Sequence, residues 1–84
     1  MMIKCFDQID PDTLKLSGET WVSIAHVTAA YKAAATTKGG KVEVKNCTSL
    51  LMSDGSVFYV DLPLETVVEK INELNRSPRK STTR

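Results

Sequence analysis

Leu50-Leu51-Met52-Ser53-Asp54-Gly55-Ser56-Val57-Phe58-Tyr59 is the stretch on which the fold turns. Two apolar runs flank Asp54-Gly55, a dipeptide that closes tight β-hairpins because both residues tolerate positive φ. A two-residue turn there pairs Ser53 with Ser56, Met52 with Val57, Leu51 with Phe58 and Leu50 with Tyr59. That register sets Leu50, Met52, Val57 and Tyr59 on one face and Cys47, Leu51, Phe58 and Val60 on the other. Both faces are apolar, so both need cover, and one short helix can cover only one.

The helix follows at once. Pro63 suits a first helical position, and Leu64, Val67, Val68, Ile71 and Leu74 recur at helical spacing with Glu65, Glu69, Lys70 and Glu73 outside them. Its end is expected near Arg76, ahead of Ser77-Pro78. Upstream, Met2 to Ile9 alternates as a short strand, Asp10-Pro11-Asp12 stops it, and Leu14 and Leu16 open a second strand that bends at Gly18. Residues 20–37 admit two readings. Six alanines and the spacing of Ile24, Val27 and Tyr31 favour helix, whereas Trp21, Val22, Ile24, Val27, Thr28 and Tyr31 are strand formers whose alternation changes phase near His26. The phase change favours strand, turn, strand. The chain thus reads as an α+β domain over 1–76, a small, strongly bent antiparallel β-sheet with one C-terminal amphipathic helix. Residues 77–84 hold no large apolar side chain and read as a disordered basic tail.

Eighty-four residues suffice for one domain, and 42% hydrophobic with 25% charged residues is a globular composition. No apolar run has the length of a bilayer crossing and no export signal precedes the first acid, so a cytoplasmic setting without membrane attachment is expected. The two cysteines, Cys5 and Cys47, then read as reduced core thiols, and Asn46-Cys47-Thr48 as a glycosylation pattern without meaning. Net charge is +1, but residues 76–84 carry +4 and residues 1–75 carry −3. An acidic body argues against a nucleic-acid-binding core and leaves such a role to the tail.

No residue set names a reaction. His26 is the only histidine, which removes multi-histidine metal sites, and neither cysteine has a nearby histidine or a basic cluster in sequence to activate it. Asp7, Asp10 and Asp12 lack calcium-loop spacing, and Gly39-Gly40-Lys41 lacks the first glycine and the hydroxyl residue of a phosphate loop. The expectation is therefore no catalytic residue, no cofactor and no metal. Trp21 and Tyr31 could stack on bases, with Lys38, Lys41, Arg76, Arg79, Lys80 and Arg84 as cations, and Ser77-Pro78-Arg79-Lys80 is similar to the S-P-basic-basic units of histone tails.

Residues 41–74 carry a resemblance. Val42-x-Val44, then Leu50 to Asp61 through Asp54-Gly55, then Glu65-Thr66-Val67-Val68-Glu69-Lys70-Ile71, resemble the FlbD-like family and similar small phage or prophage proteins. Those chains run strand, D/N-G turn, strand ending in Val, then an E-x-V-x-x-x-I helix, and their preceding segment supports strand over Trp21 to Tyr31. The alanine-rich segment from Lys32 to Lys41 and the basic tail depart from that pattern. The resemblance implies no catalytic residues. Two functions follow as expectations. The first is a non-enzymatic interaction or regulatory protein, phage-encoded in the family's manner, that works as a homo-oligomer or with a protein partner through Leu50, Met52, Val57 and Tyr59. The alternative is a nucleotide- or nucleic-acid-binding module using Trp21, Tyr31 and the basic residues named above.

Overall fold

The structure is a computed structural model that describes residues 2–82, with side chains described through Leu74. In chain order the elements are β1 (Met2–Ile9), β2 (Leu16–Ser23), a 3-10 turn (Ile24–His26), β3 (Val27–Thr37), β4 (Gly40–Met52), β5 (Val57–Val60) and α1 (Leu64–Thr82). All neighbouring strands are antiparallel and the sheet order is β2-β1-β5-β4-β3. Strand pairing overrides the helix preference of the alanines in β3, and the phase change near His26 is the 3-10 turn. β2 continues through the bend expected at Gly18, whose φ of +76° suits glycine.

The strand order forces curvature. β2 and β3 are the two edges, about 19 Å apart in a flat five-stranded sheet at ~4.8 Å per step. Only Ile24–His26 joins them, and three 3-10 residues advance roughly 6 Å. The sheet must curl until the edges meet at that turn. Two hydrogen bonds fasten the turn and the start of β3 to the end of β4: the Ser53 N–H donates to the His26 carbonyl at 2.7 Å, and the Thr28 hydroxyl donates to the Leu51 carbonyl at 3.0 Å.

The hairpin register differs by one residue from the expected one. Leu51 pairs with Val57, Leu50 with Phe58, Ser49 with Tyr59 and Thr48 with Val60. The Gly55 N–H donates to the Met52 carbonyl at 3.0 Å, the Met52 N–H donates to the Ser56 carbonyl at 2.8 Å, and Gly55 has φ +91°. The loop is therefore Ser53-Asp54-Gly55, a three-residue turn with the glycine in the left-handed region. A slip of one residue exchanges faces. Leu50, Met52, Phe58 and Val60 join the main core, while Leu51, Val57 and Tyr59 face the other way.

The core falls into two clusters. On the inner face Ile3, Cys5, Val22, Ile24, Leu50, Met52 and Val60 surround Val67 of α1, with Ile71 and Leu74 packed beside it. The helix lies against β3 and β4, and Val67, not Ile71, is its fully buried position. Thr48, the one buried polar side chain among the described residues, donates its hydroxyl to the Leu62 carbonyl at 2.9 Å and so ties the link before α1 to β4. A second cluster of Ala33, Ala35, Val44 and Cys47 packs with Ile9, Leu14, Leu16 and Tyr59. It forms because β4 bulges: Lys32 pairs with Thr48 and Ala34 with Glu43, so Val44–Cys47 lie opposite Ala33 alone, with Asn46 at φ +59°. The outer half of the β3–β4 hairpin thereby covers part of the second apolar face from within the chain.

The helix bound at Thr82 lies past the stop expected near Arg76. A proline removes one N–H from the ladder, and the backbone on either side of Pro78 stays helical. The basic tail expected over 77–84, with Arg76, Arg79, Lys80 and Arg84, falls outside the residues whose side chains are described. Among the described residues no helix is long and apolar enough to cross a membrane.

Candidate functional site

The face of the sheet turned away from α1 is covered only in part, with Tyr59 against the second cluster and other large side chains exposed. Register alone sets a row across it: Glu19 on β2 opposite Phe6 on β1, Phe6 opposite Tyr59 on β5, Tyr59 opposite Ser49 on β4, and Ser49 opposite Tyr31 on β3. Three aromatics thus stand in one line over four strands. Beside the row lie Trp21, opposite Lys4, and Val57, opposite Leu51. Trp21 is 58% exposed, Tyr31 54% and Val57 44%, which is unusual for side chains of this size. Charge on the face is closed within the chain, because Lys4 Nζ lies 3.3 Å from Glu19 Oε1 and 5.9 Å from the Phe6 ring centre.

The residues expected to form an interface do not share this face. Leu50 and Met52 are buried in the core by the one-residue register difference, and only Val57 and Tyr59 point outward. Trp21 and Tyr31 do share it, on β2 and β3. Lys41 pairs with Thr36 at the far end of the β3–β4 hairpin and Lys38 lies in its turn, away from both aromatics. The face was illegible in the sequence because it joins residues of five strands. Phe6 in particular looked like an ordinary strand residue, and only its pairing with Tyr59 reveals it.

Next to the row, the β1–β2 link and the β4 bulge border an open cleft of about 410 Å³, lined among others by Phe6, Lys15, Lys45, Cys47 and Asp61. The Cys47 thiol donates to Asp61 Oδ1 at 3.9 Å. Burial is the main cause that raises its pKa, and the neighbouring Asp61 charge adds to it. Burial pushes the Cys5 thiol up to about 11. At pH 8 native Cys5 should hold on the order of a hundredfold less thiolate than the unfolded chain, and Cys47 less than an open thiol. Both should react slowly with a disulfide reagent until denaturant is added. Rapid reaction of two thiols in native buffer would contradict the packing. The Cys5 contribution to stability is whole below pH 9.0, its ordinary value, and is lost as pH rises through about 11.

A third group assembles at the closure of the sheet. Ser53 Oγ lies 3.4 Å from His26 Nδ1, with Asp54 adjacent, beside a cleft of about 370 Å³ floored by Val22, Met52 and Phe58. The residue types are those of a hydrolytic triad, but the order of contacts is not. The Asp54 carboxylate accepts the Ser56 N–H at 2.9 Å, which holds its pKa below the usual carboxylate value, and it serves the turn. No group of three metal-ligating side chains occurs among the described residues. Comparison with known proteins returns no matching family model, no matching curated protein and no matching solved structure.

Proposed function

We propose that this chain is a non-enzymatic interaction domain whose copies associate through the outer sheet face. The observation that carries the reading is the exposure of Tyr31, Trp21 and Val57 on one face, with the half-buried Phe6 and Tyr59 in line between them. Aromatic enrichment with little charge is the composition of a protein interface core, whereas a surface for long polyanions would be basic. The occupant is a second copy because the face is self-neutral. Its Lys4–Glu19 pair is satisfied internally, which offers little to a charged partner, while an uncharged apolar surface is compatible with itself across a two-fold axis. A phage-borne origin, in the manner of the small chains that the FlbD-like resemblance names, and a cytoplasmic setting belong to the same proposal.

Mass in solution tests it. Light scattering at micromolar concentration should give a multiple of the 9.3 kDa chain mass. The double substitution Trp21→Ser and Tyr31→Ser should return the monomer with an unchanged far-ultraviolet spectrum, because neither residue belongs to a buried cluster. A wild-type protein of 9.3 kDa throughout that range overturns the proposal.

A further inference from the structure

The cleft between the β1–β2 link and the β4 bulge has chemistry that self-association does not use. Its lining includes two exposed lysines, Lys15 and Lys45, together with Phe6 and a single acidic residue, Asp61. Among the described residues the only ion pair is Lys4–Glu19, so neither cleft lysine is neutralised by a close carboxylate. Both cations stand on pinned backbone. The Lys15 carbonyl accepts the Asp10 N–H at 2.9 Å, Leu14 sits at φ +58° with its N–H on the Asp10 carbonyl at 2.7 Å, and the Asp10 carboxylate accepts the Asp12 N–H at 2.9 Å. Lys45 lies in the bulge next to Asn46 at φ +59°.

We propose that this cleft binds a phosphate bonded to a sugar and a planar base, with phosphate at Lys15 and Lys45, base against Phe6, and sugar hydroxyl or base amine donating to Asp61. Two cations suit a phosphate dianion, a ring face suits a base, and a carboxylate accepts from hydroxyl or amine donors. The cleft volume of about 410 Å³ lies in the usual range for small-ligand sites. Its local charge of one net positive fits one nucleotide unit, and the acidic body that disfavours long nucleic acids does not oppose it. The unit could be free or part of a single strand. The two lysines lie off the aromatic row, but Phe6 belongs to both surfaces, so a bound base and a second copy would compete for it.

Titration of the full chain with adenosine monophosphate, inorganic phosphate and a short single-stranded oligonucleotide at low salt, followed by NMR, tests it. Saturable shifts at Phe6, Lys15 and Lys45 with the monophosphate, and weaker ones with phosphate alone, are expected. Binding of the monophosphate at least as tight as the oligonucleotide identifies a free nucleotide. Oligonucleotide binding that is much tighter identifies a unit within a strand. Lys15→Glu and Lys45→Glu should each weaken binding by about tenfold or more. Lys15→Gln and Lys45→Gln serve if a charge-reversed chain fails to fold. No saturable shift with any probe, shifts remote from Phe6, or unchanged affinity in the folded lysine variants overturns the proposal. Because Phe6 serves both surfaces, the titration is run on the Trp21→Ser, Tyr31→Ser chain as well as on the wild type, so that either proposal can fail alone.

Discussion

Leu50→Ala is expected to remove about 3 to 4 kcal/mol of folding stability. Leu50 is fully buried at the centre of the inner face, opposite Phe58 and within the cluster that seats Val67 of α1. Truncation removes three heavy atoms from a site lined by three strands and a helix, which cannot all move inward to close the cavity. For a chain of 84 residues the whole stability is only roughly 4 to 13 kcal/mol, so the variant should melt far earlier or be partly unfolded at ambient temperature. Urea titration of wild type and variant measures it, and a loss below ~1 kcal/mol would refute the register. Under the two-residue turn the same residue would share a face with Val57 and Tyr59, and its truncation would change association more than stability.

The second large effect is Thr48→Val, at about 1 to 3 kcal/mol. The change keeps the shape and deletes one hydroxyl. That hydroxyl is wholly buried and donates to the Leu62 carbonyl at 2.9 Å, so valine leaves a sheltered carbonyl without its donor. The loss should be local as well as global. Leu62 precedes Pro63, whose carbonyl accepts the Val67 N–H at 3.0 Å and opens the helix ladder. Amide exchange in the first turns of α1 should therefore accelerate more than exchange in β1 and β2. Equal acceleration everywhere, or no change in denaturation midpoint, would show that the Thr48 hydroxyl does not anchor the helix.

Residues 50–59 show where a sequence can be read and where it cannot. Asp54-Gly55 places a hairpin correctly because φ preference is local. It does not distinguish a two-residue loop from a three-residue loop ending in a left-handed glycine, since both accept Asp followed by Gly. Patterning normally decides, because a wrong register exposes the core face. Here Leu50, Leu51, Met52, Val57, Phe58 and Tyr59 are apolar in both phases, so that check was silent. The helix was readable because its polar and apolar positions separate cleanly, although the orientation that buries Val67 and leaves Val68 at 42% exposure depends on the sheet beneath it. The outer face and the cleft were unreadable for a different reason. Phe6 meets Tyr59, and Lys15 comes to line one cleft with Lys45, only through the strand order and the bulge at Asn46.

The 3-10 turn at Ile24–His26 has a consequence for how the chain reaches its native state. It separates two pieces that pair within themselves: β1 with β2, and β3 with β4 and β5. Every ladder inside a piece joins strands adjacent in the chain, so the loops to be closed are short. The ladder of β1 with β5 is the exception, and its Phe6–Tyr59 pair joins residues further apart in the chain than any other strand pair. Loop-closure entropy falls most heavily on that seam, and non-local strand pairing is the slow kind. The short turn offsets part of this, because once both pieces exist it holds one end of each at a fixed separation. The search for the seam is then a hinge closing over a few ångströms, not a meeting of distant segments.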